Sequence, residues 1–87
     1  MVEQTQAVSE IGVGDHVLYV MPNSGKVRPA IVVEVWRPGY VNLQVFTDGG
    51  NDGEPNNVRW VASVEYNTEK KANTFHLGEA TTRRRIA

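Results

Sequence analysis

From Gly12 to Gly78 the chain alternates short apolar runs with clusters of glycine, proline and asparagine, and no apolar set recurs with a helical period. His16 to Met21 forms the first run, rich in residues that favour strands, and Pro22-Asn23-Ser24-Gly25-Lys26 supplies turn chemistry after it. The second run, VRPAIVVEVW, predicts a strand over 28–36. Its apolar residues fall on both sides; Ile31, Val33 and Val35 read as the core side, with Arg28, Ala30, Val32, Glu34 and Trp36 on the other. Arg37-Pro38-Gly39 is a tight connection, Pro-Gly suiting the centre of a type II turn. Residues 40–47 alternate strictly, Val41, Leu43 and Val45 against Asn42 and Gln44. A polar loop over 48–57 separates them from a fourth strand, 58–66, whose Val58, Trp60, Ala62, Val64 and Tyr66 share one face and whose Arg59, Ser63 and Glu65 share the other. By this alternation Trp60 belongs to the core. After the turn-like 67–71 a short fifth strand falls at 74–77.

Short strands joined by glycine, proline and asparagine turns within so few residues predict an all-β fold, a small five-stranded antiparallel SH3-like barrel over 12–78. Closure of the sheet removes the edges that strands this hydrophobic would otherwise expose. Residues 1–11 read as a flexible N-terminal arm and 79–87 as a flexible basic C-terminal tail.

A length of 87 residues leaves room for one domain. The chain has no cysteine, which excludes a disulfide framework, a thiolate zinc site and a cysteine nucleophile together. Small secreted scaffolds usually need such staples, so intracellular synthesis is expected. No apolar run approaches the roughly 20 residues of a membrane helix, and the polar, acidic start lacks the features of a signal peptide. No membrane association is expected.

The net charge of −1 conceals a division: residues 1–82 hold six Lys or Arg against ten Asp or Glu, and Arg83, Arg84 and Arg85 supply the remaining positives. An acidic barrel argues against a nucleic-acid groove on the barrel itself, because phosphate binding needs clustered positive charge. The three tail arginines are candidates for contact with an acidic partner or nucleic acid, against the plainer expectation of a solvated end.

Candidate chemistry is sparse. Asp48, Asn51, Asp52 and Glu54 gather oxygen donors in the long loop, but EF-type calcium spacing counted from Asp48 meets Gly50 at position three and Arg59 at position twelve. A flexible polar loop is the better expectation. His16 and His76 lack the third ligand a zinc site needs. No metal or cofactor is expected. The aromatics say more: Trp36 and Phe46, on the outside of neighbouring strands, would make an aromatic patch with polar neighbours, the composition of a protein interface. Arg28, Trp36, Tyr40, Phe46, Asp48, Asn51 and Asp52 are the candidate interaction residues. Pro29 confines Arg28 to an extended backbone at the mouth of its strand.

Two resemblances follow from these motifs. Gly14-Asp15-His16-Val17-Leu18-Tyr19-Val20 followed by Arg28-Pro29-Ala30-Ile31-Val32-Val33 resembles the opening of MazF/PemK-type endoribonuclease toxins. That likeness implies an SH3-like barrel in which Arg28 and Thr47 serve RNA cleavage, the guanidinium stabilising charge on a phosphoryl intermediate. The chain departs from the family in its shortened loop before Arg28 and in lacking a C-terminal helix. The second resemblance spans nearly the whole chain. Gly14-Asp15, Arg28 to Val33, Val41 to Gly49, Asn51-Asp52-Gly53, Trp60, Ser63-Val64 and Thr74-Phe75-His76 are similar to a family of short, uncharacterised tailed-phage and prophage proteins. It implies a non-enzymatic binding or assembly protein present in the host cytoplasm during infection and in the virion, as a structural or capsid-decoration component. Its partners would be protein, phage or host, with self-association into a homo-oligomer or symmetric assembly. A ribonuclease centred on Arg28, and an effector binding a host defence protein or nucleotide signal, are the alternatives.

Overall fold

The computed structural model describes residues 10–78; the tail arginines and most of the N-terminal arm lie outside the described residues. Five strands follow one another as β1 (His16–Val20), β2 (Val27–Arg37), β3 (Tyr40–Phe46), β4 (Val58–Tyr66) and β5 (Thr74–His76), with one 3-10 turn, Gly49–Asp52, in the long loop. They close into a barrel in sequence order. The β1–β2, β2–β3, β3–β4 and β1–β5 seams are antiparallel, whereas β4 meets β5 in parallel through Glu65–Thr74 and Tyr66–Phe75. This parallel seam refines the expectation of a wholly antiparallel barrel. The intervening segment loops back so that β5 runs in the same direction as β4, with Lys70 and Asn73 in the left-handed region, at φ 59° and 63°.

The hairpin between β2 and β3 turns at Pro38-Gly39, where Gly39 has φ 85° as the type II expectation requires. Inside the barrel lie Val17, Tyr19, Ala30, Val32, Val41, Leu43, Val45, Val61, Val64 and Phe75. Ile11, placed by the sequence in the arm, is also buried in this core.

Three register shifts interrupt the pairing, two along β2–β3 (Val32/Glu34 and Val35/Arg37) and one along β3–β4, and the first and last decide which residues face in. On β2 the register jumps between Val32 and Glu34. Ala30 and Val32 therefore point inward and Val35 packs partly against the core, while Val33 is exposed. The expected core set Ile31, Val33 and Val35 is thus corrected: only Val35 contacts the core, because the bulge reverses the alternation ahead of it. The small Ala30 stands inside the barrel opposite buried Val17 and Val45. On β4 the register jumps between the pairs Val41–Val64 and Leu43–Val61. Ser63 takes φ 57° at this bulge. The inward residues are Val61 and Val64, so Val58, Trp60 and Ala62 face solvent. Trp60 is not a core residue; it is 59% exposed.

Candidate functional site

Arg28 occupies the inward phase of β2, opposite buried Tyr19, at the mouth of the barrel. Arg59 occupies the corresponding place on β4, opposite buried Val45. Each meets an acid from the long loop. Arg28 donates Nε to Asp52 Oδ2 at 2.8 Å and Nη2 to Asp52 Oδ1 at 2.7 Å, the paired geometry in which a guanidinium best grips a carboxylate. Arg59 Nη1 donates to Glu54 Oε2 at 2.9 Å. The backbone N–H of Asp48 donates a third bond to Asp52, at 2.7 Å, and Lys26 Nζ stands 3.9 Å from the same carboxylate. The Arg28 guanidinium, followed by the Asp48 N–H, holds the Asp52 carboxyl down to a pKa of about 2. The same pairing raises the Arg28 pKa.

The loop is therefore built, and the expectation of a flexible polar loop is corrected. Its base is closed by Thr47, whose N–H donates to Asn57 O and whose hydroxyl donates to Asn56 O, both at 2.9 Å. Gly49 has φ 36°, and a Cβ there would lie 2.6 Å from Asn57 Oδ1, so the turn admits only glycine without rearrangement. Arg28 and Thr47, the two residues the toxin resemblance would make catalytic, are both engaged in holding this loop over the barrel mouth.

The remaining expected interaction residues divide between two places. Asp48 and Asn51 are exposed on the loop, joined by an Asn51 Nδ2–Asp48 Oδ2 bond of 2.9 Å. Asp52 is buried, which removes it from any contact surface; its partner lies 24 residues upstream, and no local pattern links the two. Trp36 and Phe46 are exposed on the outside of β2 and β3, at 61% and 45%. Tyr40 is half-buried, with the Arg37 guanidinium 4.1 Å from its ring centroid. Trp36, Arg37, Tyr40 and Ser63 line an open cleft of about 370 Å³ at this end of the sheet.

Trp36 and Phe46 belong to a larger surface. The register places Pro29, Ile31 and Val33 of β2, Asn42, Gln44 and Phe46 of β3, and Val58, Trp60 and Ala62 of β4 on the outside of one three-stranded sheet. Gln44 stands between Ile31 on one side and Trp60 on the other, and Phe46 stands opposite Val58. None of these nine residues is charged. Glu34, exposed and paired with Asn42, brings a charge onto the same face, and Arg37 stands at the hairpin end.

Asn42 organises one end of this face. Its Oδ1 accepts from Trp36 Nε1 at 2.9 Å and from the backbone N–H of Ser63 at 2.8 Å. One amide oxygen thus fixes the pose of an exposed tryptophan and satisfies the N–H that the β4 bulge would otherwise strand. Sequence reasoning missed most of this face: it places Ile31, Val33, Val58, Trp60 and Ala62 on the core side and gives Asn42 no role. An asparagine inside an otherwise apolar strand is the available signal, since the type is depleted in strands unless its side chain has a partner.

The histidines lie on β1 and β5. His76 is buried, its Nδ1 has no hydrogen-bond partner, and burial, followed by Lys70, lowers its pKa. Among the described residues no group of three His, Cys, Asp or Glu is placed to hold a metal ion, and no helix is long and apolar enough to cross a membrane. No family model, curated protein or solved structure matches the chain.

Proposed function

We propose that this barrel is a non-enzymatic assembly protein that acts through protein–protein contact at the outer face of β2, β3 and β4. The observation that carries the reading is the composition of that face: nine uncharged positions that include exposed Phe46 and Trp60, with exposed Trp36 towards the hairpin end and Glu34 opposite Asn42. Interface centres are depleted of charge and enriched in aromatics in just this way, and exposed apolar patches of several hundred Å² mark interaction sites. The engagement of Arg28 by Asp52 supports a binding role over phosphoryl chemistry. A guanidinium already paired with a buried carboxylate would have to give up that partner before it could stabilise a phosphorane. The likeness to tailed-phage proteins gives the reading a setting, as a virion structural or capsid-decoration component.

Co-sedimentation with capsids of a phage that encodes the chain tests this, with Trp60→Glu as the variant. The wild type should pellet with capsids and Trp60→Glu should remain in the supernatant with an unchanged far-ultraviolet circular dichroism spectrum. An RNA-cleavage assay runs beside it. Cleavage by the wild type that Arg28→Ala abolishes would overturn the reading.

A further inference from the structure

The outer face of β2, β3 and β4 has features that bear on what covers it. Its exposed apolar area is the first. Aromatic side chains carry roughly 150–250 Å² each, so Trp36, Trp60 and Phe46, with Val33 and Val58 at 38% and 46% exposure, present about 500 Å² of apolar surface. A stable interface buries about 800 Å² per partner with an apolar core near 65%. The face therefore matches the apolar core of a standard interface without any contribution from elsewhere on the molecule.

The second feature is the absence of charge along β3, whose outward Asn42, Gln44 and Phe46 are all uncharged, with Glu34 set to one side of it opposite Asn42. A surface that pairs with a different protein usually carries complementary charge for steering and register. A surface that pairs with itself across a two-fold axis places each residue near the axis against its own copy, and a charge there would repel. The centre of the nine positions is held by Gln44, whose amide both donates and accepts and so can bond its own symmetry mate. Size also complements across the face. Trp60 flanks Gln44 on the β4 side and the smaller Ile31 flanks it on the β2 side. The terminal segments make poor covers by composition: residues 79–87 bring three arginines and a glutamate with a single large aliphatic, Ile86, and residues 1–9 are mainly polar.

We infer that the face binds a second copy of this chain, sheet to sheet, about a two-fold axis that runs along β3 and passes by Gln44. This rests on the reading of the face as a protein-binding surface and names its partner. The axis sets β4 of one copy over β2 of the other. By the register, Trp60 then lies over Ile31, Ala62 near Val33 and Glu34, Trp36 near Glu65, and Gln44 over Gln44. Two sheets packed in this way lie about 10 Å apart, with strands within about 30° of each other. Both loop-capped barrel mouths point the same way, which places two copies of Asp48 and Asn51 side by side at one end of the dimer.

Charge exchange at the axis tests the proposal. Gln44 is partly exposed on the outside of the barrel, so Gln44→Glu and Gln44→Lys leave the core untouched. Analytical ultracentrifugation of the wild type should give twice the chain mass, with dissociation on dilution. Each variant alone should sediment as a monomer, because like charges meet at the axis. An equimolar mixture of the two should recover the dimer mass. Circular dichroism of each variant checks that the fold is intact. A wild type that stays monomeric at every concentration overturns the inference, as does a dimer that both variants retain. Monomeric wild type with capsid binding that still depends on Trp60 overturns the two-fold pairing and leaves the assembly function standing. Loss of both removes the two together.

Discussion

A single carboxylate, Asp52, determines how the mouth of the barrel is closed. Its side chain has no exposed surface and its bonds come from Arg28 and the Asp48 N–H, so its charge is stabilised in the fold and not in the open chain. The folded pKa of about 2 lies below the ordinary 3.8. A depressed folded pKa contributes stability that is fully present above the ordinary value and is lost as pH falls through the folded one. The wild type should therefore lose thermal stability as pH drops from about 4 to about 2. Asp52→Asn should start with a lower Tm at neutral pH and show a flatter acid limb. Thermal melts across that range check both, and an acid limb as steep in the variant as in the wild type would mean that other carboxylates set it. None of this was legible from the letters. Asp52 looked like one more acid in a polar loop, because its partner is brought to it only when β2 and the loop are folded together.

At the scale of the element, the strands were easier to find than to orient. All five were readable from runs and turns, and β3 was oriented correctly because its alternation is unbroken. On β2 and β4, strict alternation put the wrong residues inside. A bulge adds one residue without leaving a distinctive letter, and every side chain beyond it changes face. Apolar residues on both sides of β2, and the phase Trp60 shares with four apolar neighbours, make the error natural: alternation puts Ile31, Val33 and Trp60 inside, whereas the barrel takes Ala30 and Val32 and leaves Trp60 outside beside the expected Trp36. The β4 bulge depends on Asn42. Asn42→Ala leaves the Ser63 N–H and Trp36 Nε1 without their acceptor. Both donors are on exposed residues that can turn to water, so each lost hydrogen bond costs about 0.5–1.5 kcal/mol. Chemical denaturation should show the midpoint moving down with an unchanged slope. Hydrogen exchange should show the Ser63 amide losing protection, while amides of the β1–β2 seam keep theirs relative to global stability.

At the scale of the whole molecule, the barrel was legible because hydrophobic runs and turn residues are local signals, while its closure is not. The β1–β5 seam pairs Leu18 with His76 and Tyr19 with Phe75 across most of the described chain. The connection from β4 is tied in by the Tyr19 hydroxyl, which donates to Asn73 Oδ1, and by the Asn73 N–H, which donates to Val20 O at 2.9 Å. Both tryptophans of the chain lie on the outer face, and none lies in the core. This makes the molecule an unusual optical object. Its tryptophan emission should already be that of indole in water when the barrel is folded and alone, so denaturant will shift it little even as the circular dichroism signal collapses. Association is what should move the emission to shorter wavelength, and a dilution series followed by emission maximum should therefore trace assembly and pass over folding almost unseen.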